Sequence, residues 1–359
     1  MVKIHMMKSQ EGDFIWLSYG DMEKEHHLLI DGGVKDCRER YADVVRFISA
    51  KGESIEAIIL THIDCDHIAG ACEGIAKVDA GILQRTVKKI IFNASKKIHK
   101  EILVSKNSGE YGVKEGIEFC EILKEKGIYD RIVERTIAGE IINLANGALL
   151  KVISPGEKQL EKLLDKWESY EKKQLSVGYS PNLEKVKQNL ADLMRDKSGI
   201  DSSVNNASSI ALLFEYQNIK GAFLGDAKPS ICMEGMKEFD IKDVYPVDFV
   251  KLSHHGSIAN TNLKLLKKLP TVNYLLSTNG HEKKVPSKVV IAKLLRNCQE
   301  ENKPEIMLYC NYDWWESQYH NKYFTQKDRQ LYIDTGVLKI NLLGGEGTSV
   351  KDGLILYGK

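Results

Sequence analysis

The run LTHIDCDHIAG, residues 60–70, sets His62, Asp64, Asp66 and His67 within six positions, directly behind the apolar stretch 57–60. Two imidazoles and two carboxylates so close together are costly in a closed core. They belong at a strand end, in a fold whose strand ends gather at one open edge. Alternation along an extended segment puts His62, Asp64 and Asp66 on one side, with His67 entering from the turn into a following helix and Gly70 letting that turn close. Imidazole with carboxylate is a donor set for zinc, manganese or iron, and four such residues suit a pair of ions. The plainer alternative is a polar loop that caps a helix through Asp66.

The surrounding pattern supplies such a sheet. Strands are expected at Lys3–Met6, Phe14–Ser18, His27–Asp31, Ala57–Thr61 and Lys89–Asn93, with a helix Arg38–Ala50 that buries Val44, Val45, Phe47 and Ile48. A second series follows: Leu149–Ile153, Ser209–Tyr216, Gly221–Leu224, a helix near Ser230–Glu238, Phe249–Leu252, Tyr274–Ser277 and the helix Ser287–Cys298. Two sheet-rich halves with helices between them predict a layered α/β sandwich, one domain over 1–359. Residues 157–203 are rich in Lys, Glu and Asp and read as a surface insertion with helical pieces. Residues 300–359 read as a strand-rich extension packed on the domain, with strands Met307–Cys310, Leu331–Asp334, Leu338–Leu343 and Leu354–Tyr357.

The net charge of +1 gives no global bias toward nucleic acid or an anionic membrane. Residues 1–10 lack the apolar core of a secretory signal, and no stretch has the length of a membrane span. Seven cysteines without a C-x-x-C pair suit reduced thiols, so a cytoplasmic protein is expected. Cys65 is expected to pack, since alternation turns it away from Asp64 and Asp66.

Histidine usage points the same way. Five of the ten lie in segments that each follow an expected strand: His62 and His67, then His254 and His255 in VDFVKLSHHGS, then His281 in LLSTNGHEKKVPS. GAFLGDAKPS places Asp226 just after another apolar strand. His5, His26, His27, His99 and His320 lack this setting and read as surface or structural residues.

The H-x-D-x-D-H motif, DGG at 31–33, GDA at 225–227 and HHGS at 254–257 resemble the metallo-β-lactamase fold. They are most similar to the hydrolase domain of the competence DNA-uptake protein ComEC and its stand-alone relatives. The resemblance spans about residues 1–300. It implies a four-layer αββα sandwich with two divalent metal ions, zinc or manganese. It implies that Asp226 bridges the ions, with His62 and Asp64 on one, Asp66 and His67 on the other, and His255 or His281 completing the shell. Asp64 stands where the common superfamily motif has histidine, which makes one position oxygen-rich and leaves zinc less secure against manganese. No convincing histidine between 68 and 253 answers to the superfamily's middle ligand. Of the HHGS pair, His255 is expected to ligate metal and His254 to be the catalytic acid that protonates the leaving group. Asp31 is expected to orient a ligand histidine or simply to make a turn, and Asn206 with Ser208 to support the strand before Asp226.

The expected activity is metal-dependent hydrolysis, with phosphodiester cleavage of nucleic acid or a nucleotide by metal-held hydroxide as the leading reading. Lysines crowd the site segments: Lys228, Lys251, Lys264, Lys267, Lys268, Lys283, Lys284 and Lys288. Lys228 and Lys284 are the expected substrate contacts in a cationic rim; the alternative is an ordinary solubilising surface. Aromatics in YDWWESQYHNKYF (312–324) suit base stacking or, more plainly, a core edge. The competing readings are a lactone or ester hydrolase on the same fold and a non-catalytic regulatory module. No protein partner is legible, and no membrane association is expected.

Overall fold

The computed structural model describes residues 1–21, 23–93, 113–133, 135–169, 188–195, 201–280, 285–316, 323–343 and 354–356. His99, His281, Lys283, Lys284 and His320 lie outside the described residues. The first sheet contains β1 (Val2–Met6), β2 (Ile15–Gly20), β3 (Glu25–Ile30), β4 (Ser54–Ile59), β5 (Ile90–Ile91) and β6 (Ile132–Val133). The second contains β7 (Ile141–Asn143), β8 (Leu149–Ser154), β9 (Ala211–Tyr216), β10 (Ile219–Phe223), β11 (Phe249–Lys251), β12 (Asn273–Leu276), β13 (Ile306–Cys310) and β14 (Leu338–Leu342). β15 (Leu354–Leu356) returns to the first sheet and pairs with β1. Among the described residues the orders are β15-β1-β2-β3-β4-β5-β6 and β14-β13-β12-β11-β10-β9-β8-β7.

Both sheets mix an antiparallel half with a parallel half. β3 through β6 run parallel, as do β10 through β14. The carboxyl ends of parallel strands share an edge, which is where loops can gather reactive groups. Ile4, Leu17, Leu28 and Ile59 of the first sheet meet Leu150, Leu212, Phe214 and Phe249 of the second in a core between the sheets. α1 (Arg38–Ala50) buries Tyr41, Val44, Val45 and Ile48 on the outer face of the first sheet, beside α2 (Cys65–Ala76). The helix Lys288–Glu300 does the same for the second. The layers are therefore helix, sheet, sheet, helix.

Three expectations change. The stretch around Leu331 is a helical turn, Arg329–Ile333, rather than a strand. The C-terminal strands are divided: β13 and β14 extend the second sheet, while β15 extends the first. The charged segment 157–203 is anchored at its described ends, because Leu160 and Leu163 join one core and Leu190 and Leu193 the other. A buried ion pair, Lys288 with Asp328 at 2.7 Å, supports the second anchor, where Leu190 N donates to Asp328 Oδ1. No helix among the described residues is long and apolar enough to cross a membrane.

Candidate metal centre

Five strand ends build the site. After β3, Asp31 takes a left-handed backbone (φ 56°), which aspartate tolerates better than most residues. Its N–H reaches Ile59 O at 2.8 Å, tying β3 to the exit of β4. The chain then leaves β4 through Thr61 and His62. Asp64 is extended (ψ 140°) and heads α2, whose first turn holds Asp66 and His67. The run is thus not one extended segment: a helical turn, rather than strand alternation, brings Asp66 and His67 inward. Gly70 lies within α2, not in a closing turn, and a Cβ there would sit 2.0 Å from Gly32 O. This close approach lets Gly32 N donate to His67 O at 2.7 Å and locks the DGG loop against the helix.

From the second sheet, β10 leads to Asp226, whose N–H donates to Ser209 Oγ. β11 leads to His254 and His255, both left-handed (φ 47° and 52°). Two successive left-handed residues are strained, a feature common at functional sites. They aim the adjacent rings at different atoms. Asp226 Oδ2 lies 3.7 Å from His62 Nε2 and 3.6 Å from His254 Nε2. Asp226 Oδ1 lies 3.4 Å from His67 Nε2 and 4.0 Å from His255 Nε2. Each side has its own second carboxylate: Asp64 is 3.5 Å from His62 Nε2, and Asp66 is 3.6 Å from His255 Nε2.

The hydrogen-bond partners assign the imidazole tautomers. His255 Nδ1 meets the backbone carbonyl of Ser277 at 2.9 Å, and a carbonyl only accepts. His67 Nδ1 meets Asp31 Oδ2 at 2.7 Å. Thr61 Oγ1 donates to the same Asp31 oxygen and so accepts from His62 Nδ1 at 3.0 Å. His254 Nδ1 meets Asn260 Oδ1 at 3.0 Å. Each Nδ1 therefore carries its hydrogen, and each Nε2 faces carboxylate oxygen. Nε2 of His62, His67 and His255 and Oδ1 of Asp226 are buried without a hydrogen-bond partner. Buried polar atoms of this kind call for an ion or other partner, and the sets His62–His67–Asp226 and Asp66–His67–His255 each bring three donor atoms within 4.8 Å of one another. These donors fit divalent cations, with Nδ1 fixed by outer partners as in known metal sites.

The electrostatics agree. Burial opposes a charged His67, but the carboxylates of Asp226 and Asp31 outweigh it and hold its pKa well above the ordinary value. The same contest, with Asp13 as the main carboxylate, takes His255 up to about 9. Burial would raise Asp226, yet His254, His67 and His255 hold it well below the carboxylate range. The pocket favours positive charge on His67 and His255, as protons or as metal.

Of the supporting residues, Asn206 was expected, whereas Asp13 and Asn205 carry no local sequence signal. Asp13, ahead of β2, lies 3.5 Å from His255 Nδ1 and is ion-paired with Lys251. Asn205 Nδ2 donates to Asp64 Oδ1 at 2.6 Å, and Asn206 Nδ2 lies 3.2 Å from His254 Nδ1. These two asparagines lie just ahead of β9 and contact the site from the stretch in which no middle histidine was found. Ser208 instead donates to Asn205 O, and the contact with Asp226 comes from Ser209. Cys65 is half-buried and belongs to neither donor set; burial pushes its thiol up to about 12, and Glu115 adds to this. His26 and His27 pair with Glu56 and Glu53 and are structural.

The cationic rim thins out. Lys251 is buried against Asp13, Lys288 against Asp328, Lys267 binds Glu300, and Lys268 binds the carbonyls of Lys242 and Asp243. Lys228 remains half-exposed at the head of the helix Pro229–Lys237, two residues beyond Asp226. Of the aromatics, Trp314, Tyr323 and Phe324 are buried in the second sheet's outer core, which removes them as a stacking surface.

Comparison with known proteins adds a family. Residues 21–81 match the sequence model of the metallo-β-lactamase superfamily. No curated protein matches the chain. Among solved structures, zinc-bound PqqB from Methylobacterium extorquens shares 12% identity at a TM-score of 0.38, covering 99% of this chain and 100% of that one. The metallo-β-lactamase MIM-1 from Novosphingobium pentaromativorans shares 13% at 0.33, covering 82% and 93%. The CmlA β-hydroxylase E377D mutant shares 12% at 0.39, covering 84% of this chain; this chain spans about half (51%) of that protein. The match over 21–81 carries Asp31 and the whole H-x-D-x-D-H run, and the αββα layers around it are those of the metallo-β-lactamase fold.

Proposed function

We propose that the protein is a two-metal hydrolase acting on phosphodiesters. The observation that carries this reading is the division of donors about Asp226. His62 and His254 face one carboxylate oxygen and His67 and His255 the other, with Asp64 beside His62 and Asp66 beside His255. A carboxylate set between two such groups would suit a pair of divalent ions held by these residues, which would supply Lewis acidity and an acidified water. The chain's own work is to hold and orient. Asp31 and Thr61 set the rings of His67 and His62, Ser277 sets His255, and Asn205 steadies Asp64. On this reading His254 is a ligand, rather than the proton donor that the sequence suggested, because its Nε2 faces Asp226 and its Nδ1 hydrogen is engaged by Asn260.

The substrate class is proposed from the local chemistry of the ions rather than from net charge. Asp64, Asp66, Asp226, Asp31 and Asp13, with Lys251, would leave the loaded centre near neutral, while two divalent ions would still present Lewis-acid positions suited to phosphodiester oxygens. The oxygen-rich donor set suits manganese at least as well as zinc. Nucleic acid or a nucleotide is the proposed substrate. The test is metal analysis of protein purified without chelator, followed by assays on DNA, RNA, cyclic dinucleotides, lactones and esters with manganese and with zinc. Two ions per chain and metal-dependent phosphodiester cleavage are expected. Absence of bound ions would overturn the metal reading, and turnover of lactones or esters alone would overturn the substrate.

A further inference from the structure

Among the described site histidines, His254 alone has an outer nitrogen with two amide neighbours of opposite demands. Asn260 Oδ1, at 3.0 Å, asks for a hydrogen on Nδ1; Asn206 Nδ2, at 3.2 Å, asks for a lone pair there. Both amides end on one oxygen. Asp201 Oδ2 accepts from Asn206 Nδ2 at 2.9 Å and from Asn260 Nδ2 at 2.7 Å. Asn260 Nδ2 also donates to Asp226 O at 3.0 Å. Two acceptors on its nitrogen leave Asn260 only one orientation, with its oxygen toward His254. We propose that Asp201 is a positioning residue: through Asn260 it selects the Nδ1–H tautomer of His254 and so turns the Nε2 lone pair toward Asp226.

This places a working residue at the end of the charged segment 157–203, which by composition reads as surface. Without the Asp201 carboxylate, Asn260 Nδ2 keeps only the Asp226 carbonyl as acceptor and Asn206 loses the same tether, so the amide at His254 is held less firmly and can turn to present its NH₂ to Nδ1. The ring then carries its hydrogen on Nε2, where it no longer binds a cation. The argument rests on the two-metal reading, and the test separates them.

The full chain and its Asp201→Ala and Asp201→Asn variants are titrated with Zn²⁺ against a chromophoric chelator. Histidine ¹⁵N spectra of each zinc-loaded protein read the protonated nitrogen of His254. Loss of an outer partner costs about 10- to 100-fold in metal affinity. Asp201→Ala is expected to weaken one of the two zinc ions by that factor and to shift His254 toward the Nε2–H form. Asp201→Asn, which keeps an acceptor oxygen, is expected to recover most of the affinity. If the parent chain binds no zinc, the two-metal reading itself fails. If the parent binds two ions and Asp201→Ala binds both with unchanged affinity and an unchanged His254 spectrum, the positioning role alone is refuted. Equal losses in both variants would also refute it, since the role requires the acceptor oxygen and not the charge.

Discussion

Replacing Asp31 by asparagine alters one buried carboxylate and, through it, two histidines. Asp31 Oδ1 accepts Thr61 N–H at 2.8 Å, whereas Oδ2 accepts both Thr61 Oγ1–H at 2.8 Å and His67 Nδ1–H at 2.7 Å. Asparagine keeps the first contact, and it tolerates φ 56° as well as aspartate does, so the backbone is spared. At the second position an NH₂ group replaces an acceptor. His67 must then offer Nδ1 as acceptor and carry its hydrogen on Nε2, while Thr61 turns its hydroxyl and releases His62. Each hydrogen bond to a charged group contributes about 1.5–3 kcal/mol. In metal sites an outer partner is worth about 10- to 100-fold in affinity, so two affected ligands predict a combined loss of about 10²- to 10⁴-fold. Isothermal titration of chelator-treated protein with Mn²⁺ and Zn²⁺ measures this, with thermal melts of the metal-free forms as the folding control. A metal Kd within about threefold of the parent, with an unchanged melt of the metal-free form, would refute the assigned tautomers; a flipped amide that keeps its oxygen on His67 gives up the Thr61 N–H bond and lowers that melt instead.

Asp66→Asn should lower affinity for the ion facing His255 by about 100-fold while that facing His62 is less affected, which metal stoichiometry at limiting metal can read. Gly70→Ala should cost about 1–3 kcal/mol by urea unfolding, since its Cβ has no room before Gly32 O; a loss below about 0.5 kcal/mol would show that the DGG loop yields freely. Asp328 is raised by burial but held below the usual carboxylate range by Lys288 and the backbone N–H groups of Leu190 and Thr325. A lowered folded pKa means that its stabilisation is full above about pH 4 and is lost as pH falls below it. Asp328→Asn should therefore cost about 3 kcal/mol near neutrality and progressively less below pH 4; equal costs at pH 7 and pH 3 would contradict the buried pair.

Much of the fold was readable because its signals are local. The helix Arg38–Ala50 has the boundaries its periodicity predicts, and most of the long strands lie within a few residues of their apolar runs. β6 and β7, two and three residues long, are too short to leave a pattern. The turn at 329–333 has strand-like composition but caps through Thr325 and Asp328, where a side-chain hydrogen bond overrides propensity. The donors in the site were visible as residue types crowded behind strands: His62, Asp64, Asp66, His67, Asp226, His254 and His255. Their division about Asp226 was expected only by resemblance, and it did not include His254, because which oxygen of Asp226 a ring faces depends on both sheets at once. Lysine positions misled for a related reason. Spacing does not reveal that Lys251 turns inward to Asp13, 238 residues earlier. Asp13 reaches His255 from the other sheet, and Asn260, Ser277 and Asp201 act on histidines through folded contacts that spacing does not reveal, whereas Asp31 was already a candidate from its DGG loop. A residue's type is set by the chain, but which nitrogen of an imidazole holds the hydrogen is decided by the acceptor that folding brings beside it.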